Sequence, residues 1–158
     1  MKNFIELKTK YGITIIQMFP EIAPNHCKVI SSLVEGGFYN GLKFHRVIKN
    51  TIVQTGCPFG NGFGGVNVNI PIEINSKLKH VVGACSMARS SRINSASSQF
   101  FICLKDLPNL DNYYSIWGQV IEGLDHLYQI KEGNPNNKGL VEEEPDRIYY
   151  MKLIDYDG

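Results

Sequence analysis

Apolar and polar positions along the chain predict short strands more often than helices. Residues 4–8 (FIELK) and 13–19 (ITIIQMF) are two β-rich runs, parted by a turn at Lys10-Tyr11-Gly12. Ala23-Pro24-Asn25 opens a helix that runs to about Glu35. Pro24 suits the first turn, Val29, Ile30 and Leu33 recur at helical spacing, and Gly36-Gly37 ends it. Strand-like runs follow at 42–48 (LKFHRVI), 52–56 (IVQTG), 81–88 (VVGACSMA), 98–104 (SQFFICL), 114–120 (YSIWGQV) and 148–156 (IYYMKLIDY). A second short helix is expected over 124–131, from Leu124, Leu127, Tyr128 and Lys131. Residues 56–65 (GCPFGNGFGG) are a glycine-rich loop, and 132–146 a polar loop with an acidic Glu142-Glu143-Glu144 run. Many short strands with only two helices predict an all-β fold, a closed antiparallel barrel with a helix over each open end.

The hairpin 42–56 sets a register. A two-residue turn at Lys49-Asn50 needs positive φ at both positions, which suits Lys poorly. A three-residue loop, Lys49-Asn50-Thr51, needs it once, and Asn tolerates it. That register sets Arg46 opposite Gln54, with Phe44, Ile48 and Ile52 on the same face; the other pairs Arg46 with Val53.

Composition narrows the function classes. A chain of 158 residues, 43% hydrophobic and 20% charged, reads as one globular domain over 1–158 that needs neither metal nor disulfide to bury a core. A net charge of +1 offers no field for nucleic acid or an anionic membrane. Charges at 2, 6, 8 and 10 break any apolar signal core, and no run is long enough to span a bilayer. Cys27, Cys57, Cys85 and Cys103 lack Cys-x-x-Cys spacing, which favours reduced thiols in the cytoplasm. His26, His45, His80 and His126 are scattered, so no metal site is expected. The glycine-rich loop lacks the Gly-Lys-Ser/Thr ending of a phosphate cradle, and no serine stands in a nucleophile elbow. A monomer without cofactor is expected.

What remains is Arg46 within an apolar β run. Alone it reads as a surface charge on a strand, and His45 beside it as packed or solvated. Two further runs, MARSSRINSASSQFFI (87–102) and LPNLDNYYSIWGQVIEG (107–123), change that reading. Taken with FYNGLKFHRVI (38–48) and QTGCPFGNGFGG (54–65), they make the chain resemble the cyclophilin family of peptidyl-prolyl isomerases, from about Phe4 to the final strand. The motif form is most similar to small, single-domain bacterial-type members.

The resemblance implies an eight-stranded antiparallel barrel with a helix at each end, and a shallow site on its outer surface. It implies rotation about X-Pro bonds of client proteins during folding, with Arg46 and Gln54 as the catalytic pair. Phe44, His45, Thr51, Ile52, Ala88, Arg89, Gln99, Phe101, Asn109, Leu110 and Tyr114 are the implied substrate-binding positions. Alternation independently puts Ile52 with Gln54, and Gln99 with Phe101, on shared faces. Two positions depart from the family: Thr51 stands where Phe is usual, and Asn109 where Trp or His is. The thinner socket predicts reduced activity and weak binding of cyclosporin-like ligands. The rival reading is a non-catalytic barrel that holds Pro-containing segments within a larger assembly.

Overall fold

The computed structural model describes residues 2–158. Among them are eight strands: β1 (Phe4–Thr9), β2 (Gly12–Met18), β3 (Arg46–Ile48), β4 (Ile52–Thr55), β5 (Ala84–Met87), β6 (Phe100–Cys103), β7 (Ile116–Glu122) and β8 (Tyr150–Ile154). Two helices accompany them, α1 (Pro24–Glu35) and α2 (Leu124–Leu127), with short 3₁₀ turns at Pro108–Leu110 and Pro135–Asn137. The strands form one curled antiparallel sheet in the order β3-β4-β6-β5-β7-β2-β1-β8. Beyond β3 the sheet continues through a seam rather than a ladder, in which residues 41–47 bond to the segment 133–148 that precedes β8. Phe44 N–H donates to the Asp146 carbonyl, Val141 N–H to His45 and Val47 N–H to Gly139.

Period-two burial explains which face turns inward. In β1, Ile5, Leu7 and Thr9 are buried while Phe4, Glu6 and Lys8 are only partly so. The interior is filled by Phe44, Val53, Cys85, Phe100, Ile102 and Trp117 among others. Phe100 meets Tyr39 and Trp117 edge-on, with ring centroids 5.5 and 5.4 Å away. The helices sit at opposite ends of the β1–β2 hairpin. Ser31 of α1 reaches the Met18 sulfur at one end. At the other end, a side chain on Gly12 would strike the His126 ring of α2.

Strands β4 and β6 are buried on both faces. Behind the inward residues, Ile52, Ala84, Phe101, Cys103 and Ile116 form a second apolar cluster, flanked by Ile48, Ala88, Leu110 and Tyr114. The hairpin has the expected register, Arg46 opposite Gln54 and Ile48 opposite Ile52. Asn50 takes the positive φ, 53°, of the three-residue loop. Two expectations need correction. The second helix stops at Leu127, and Lys131 N–H donates to the Asp146 carboxylate instead of an i−4 carbonyl. Strand β3 starts at Arg46 rather than 42: the ladder to β4 begins at Arg46–Gln54, and Leu42, Phe44 and His45 bond across the seam instead. Phe44 therefore does not share a face with Arg46: it is 0% exposed, inside the core.

Candidate functional site

The β3–β4–β6 ladder brings three polar side chains into one line on the outer face. Gln54 lies opposite Arg46 in β4 and opposite Phe101 in β6. Arg46 Nη1 donates to Gln54 Oε1 (3.0 Å), and Gln54 Nε2 donates to Gln99 Oε1 (3.0 Å). Gln99 Nε2 in turn donates to the carbonyls of Gly62 (3.0 Å) and Gly64 (2.8 Å). The glycine-rich loop thus terminates a chain of donors that fixes which end of each amide faces its neighbour. On the other side, Arg46 Nε donates to the Lys138 carbonyl at 2.8 Å. Burial lowers the Arg46 pKa, opposed by nearby Tyr114, from a value high enough that the guanidinium stays charged.

Beside this line lies the second apolar cluster. Phe101 meets Tyr114 edge-on at 5.9 Å, and its other neighbour is the buried His80 ring, stacked at 6.2 Å and 14°. His80 is fixed at both nitrogens, with Nδ1 3.0 Å from Asp111 Oδ1 and Nε2 2.9 Å from Ser86 Oγ. Burial lowers its pKa despite the Asp111 carboxylate, so a neutral ring backs Phe101 at pH 7. The Asp111 carboxyl is held low by the His80 backbone N–H first, then by the ring.

Arg89 forms the far rim. Its guanidinium lies 4.8 Å from the Tyr114 ring centroid and donates to the Tyr113 and Ser90 carbonyls. Ala88 N–H is given to the Gln99 carbonyl. The Ala88 carbonyl and Arg89 N–H have no protein partner among the described residues, leaving a backbone edge open to an extended segment. A recess of about 410 Å³ adjoins it, bordered by Gln54, Gln99, Arg89 and the 92%-exposed Phe63. A larger groove, about 1250 Å³ between α1 and β8, shares no lining residue with this site.

Of the positions named from sequence, Arg46, Gln54 and Gln99 form the polar line. Ile52, Ala88, Phe101, Leu110 and Tyr114 form or flank the apolar cluster, with Arg89 on its rim. Phe44 and His45 do not belong to it: both are buried, at 0% and 1% exposure, because the seam turns this stretch inward. Thr51 turns its hydroxyl back to the Lys49 carbonyl (3.0 Å), and Asn109 is exposed on its 3₁₀ turn. Sequence reasoning missed Lys138, which acts through a carbonyl and carries no side-chain signal. It also missed His80 and Ser86, whose sequence gap of six residues gives no motif. All four cysteines are buried and free, and no helix among the described residues is long and apolar enough to cross a membrane.

A doubly anchored guanidinium beside an apolar patch and a backbone edge without a protein partner has the form of a surface that can take an extended peptide. The sequence model of the cyclophilin type peptidyl-prolyl cis-trans isomerase family matches residues 4–153, and the chain belongs to that family. A Synechococcus elongatus peptidyl-prolyl cis-trans isomerase is 44% identical, over 94% of this chain and 94% of its own. One from Helicobacter pylori is 40% identical, over 83% and 82% respectively. Among solved structures, a Cryptosporidium parvum cyclophilin crystallised in the presence of the dipeptide Ala-Pro superposes with a TM-score of 0.87. It is 29% identical and covers 97% of this chain and 99% of its own. The chain is a peptidyl-prolyl cis–trans isomerase, catalysing rotation about X-Pro peptide bonds.

Proposed function

We propose that Arg46 is the group that lowers the rotational barrier, with Gln54 holding it and the outer apolar cluster seating the proline ring. Twisting an X-Pro bond destroys amide resonance, at a barrier of about 18–20 kcal/mol. No bond is made or broken, so what the site must do is favour the twisted state over both planar isomers. In a planar amide the prolyl nitrogen's lone pair is delocalised and accepts poorly. Once twisted, the nitrogen becomes pyramidal and accepts a hydrogen bond. A guanidinium fixed before the reaction meets that new acceptor without reorganising.

The observation that carries this reading is the anchoring of Arg46. Its Nε–H is committed to Lys138 and one Nη1–H to Gln54, which leaves three of five N–H donors for the substrate. One of them addresses the prolyl nitrogen and another the proline carbonyl. Phe101, Ile52 and Leu110 take the pyrrolidine ring and exclude the water that favours the planar, more polar amide. Residues preceding the proline pair with the Ala88 carbonyl and Arg89 N–H, next to the recess. Without an aromatic side chain at Thr51 or Asn109, the wall around the socket is thin, so cyclosporin-like macrocycles bind weakly. The substrates are Pro-containing peptide segments.

The test is the isomerisation rate of a short X-Pro peptide with the native chain, Arg46→Ala and Arg46→Lys. Arg46→Ala should lose about 100-fold, the usual cost of removing one transition-state donor. Lysine should restore little, because a point charge cannot reproduce the planar fork. Equal rates for native chain and Arg46→Ala would end the assignment to Arg46.

A further inference from the structure

The polar loop 132–146 does more than close the seam. Asn134 organises its turn: Oδ1 accepts from Asn136 N–H (2.9 Å), and the carbonyl accepts from Asn137 N–H (2.9 Å) and Gly139 N–H (2.8 Å). Asn134 N–H is itself given to the Leu140 carbonyl at 2.9 Å. This winding carries Lys138 into the left-handed region, at φ 57°. There the Lys138 carbonyl reaches Arg46 Nε, while the adjacent Gly139 carbonyl receives Val47 N–H. The first glutamate of the acidic run braces the turn from outside. Glu142 Oε1 accepts from Asn134 Nδ2 (2.8 Å) and, more distantly, from Asn137 Nδ2 (3.4 Å).

We infer that the Asn134–Glu142 pair is a positioning device for the reaction: it holds the loop in the shape that presents the Lys138 carbonyl to Arg46. The inference rests on Arg46 being the catalytic donor. Gln54 alone holds one corner of the guanidinium and leaves it free to swing about that contact. A second acceptor at Nε fixes its plane and aims the Nη2 end outward. An arginine side chain has several rotatable bonds, and ordering them beforehand removes that cost from the transition state. The outer acidic run thereby gains a role that its charge alone does not suggest. Neither Asn134 nor Glu142 touches substrate; both act through the loop backbone.

The experiment compares Asn134→Ala, Glu142→Ala and Glu142→Gln, each alone and with Arg46→Ala, in the full chain. The alanine variants should lower kcat by about two- to tenfold, the worth of one net hydrogen bond, with KM unchanged. Glu142→Gln keeps an acceptor oxygen and should restore most of the rate. In the Arg46→Ala background neither alanine change should have any further effect. The Arg46 Nε–H resonance should exchange faster with solvent in the alanine variants and stay protected in Glu142→Gln. Unchanged kcat beside a large Arg46→Ala effect would overturn the positioning role and leave Arg46 in place. So would an equal loss in the Arg46→Ala background, which would mean a general structural effect. A silent Arg46→Ala would instead remove the catalytic reading on which the inference depends.

Discussion

Strands β4 and β6 carry two apolar faces that share a backbone and differ in fate. The inward face (Val53, Phe100, Ile102) lies in the main core, where Phe100 is enclosed by Tyr39 and Trp117. The outward face (Ile52, Phe101, Cys103) is almost as well covered, yet it ends in a patch bounded by polar anchors instead of another layer of structure. Adjacent phenylalanines in one strand thus fall in two clusters, and on the function proposed above they divide stability from function. The inner side packs the core, while the outer side carries a guanidinium held by the Lys138 carbonyl and Gln54.

The most forceful way to break this comparison is to truncate each ring in turn. Phe100→Ala should cost about 3–5 kcal/mol, because it empties a closed core, and chemical denaturation with intact m-value checks it. Phe101→Ala should cost less stability, since its cluster opens on solvent, but should lose at least tenfold in kcat/KM on an X-Pro peptide. If Phe101→Ala destabilised as much as Phe100→Ala while retaining activity, the outer cluster would be a second core and not a socket.

Much of that division was legible before the structure. Period-two alternation and the demand for one positive φ at Asn50 put Arg46 against Gln54, because a turn of fixed length leaves a hairpin one register. Phe44 misled for a related reason. Alternation was extended through residues 42–45, but their backbone bonds run to the seam, and a non-local partner leaves no local trace. The same holds for Lys138, whose contribution is a carbonyl, and for His80, which reaches Ser86 and Asp111 only in the folded chain. Side-chain chemistry on regular strands can be read along the sequence; contacts made through loop backbone cannot.

Acid provides a second comparison, since each region is buttressed by a buried histidine paired with a carboxylate. His26 pairs with Glu73, which also accepts the N–H groups of Asn25 and His26 at the start of α1. His80 pairs with Asp111 behind Phe101. Burial lowers the pKa of both histidines. Burial opposes ionisation of Glu73, but the His26 side chain and the two backbone N–H groups outweigh it and hold the carboxyl low. A histidine with a depressed folded-state pKa gives stability that is complete above about pH 6.5 and is lost as pH falls toward the folded value. The carboxyls add a loss in the same direction below about pH 4. The melting temperature should therefore be flat from pH 7 to 8 and fall below about pH 6.5. Glu73→Gln should flatten the carboxyl part of the fall without altering turnover at pH 7. Asp111→Asn should disturb turnover more than melting temperature, and the reverse pattern would detach His80 from the socket.

The smallest expected effect sharpens the comparison most. Thr51 ends the hairpin loop with its hydroxyl tied to the Lys49 carbonyl and carries no aromatic ring to wall the socket. Thr51→Phe gives up that one exposed hydrogen bond and, if the ring lies over the patch, adds an apolar wall worth at most about 1.5–3 kcal/mol. A wall touches the proline ring about equally in the planar and twisted states, so its contribution is uniform binding. KM for an X-Pro peptide should fall about threefold or more with kcat unchanged, as progress curves over a range of peptide concentrations would measure. A rise in kcat at constant KM would mean that the socket discriminates between planar and twisted amide. Transition-state selectivity would then be shared by the apolar face, and the division between a seating patch and an acting guanidinium would have to be redrawn.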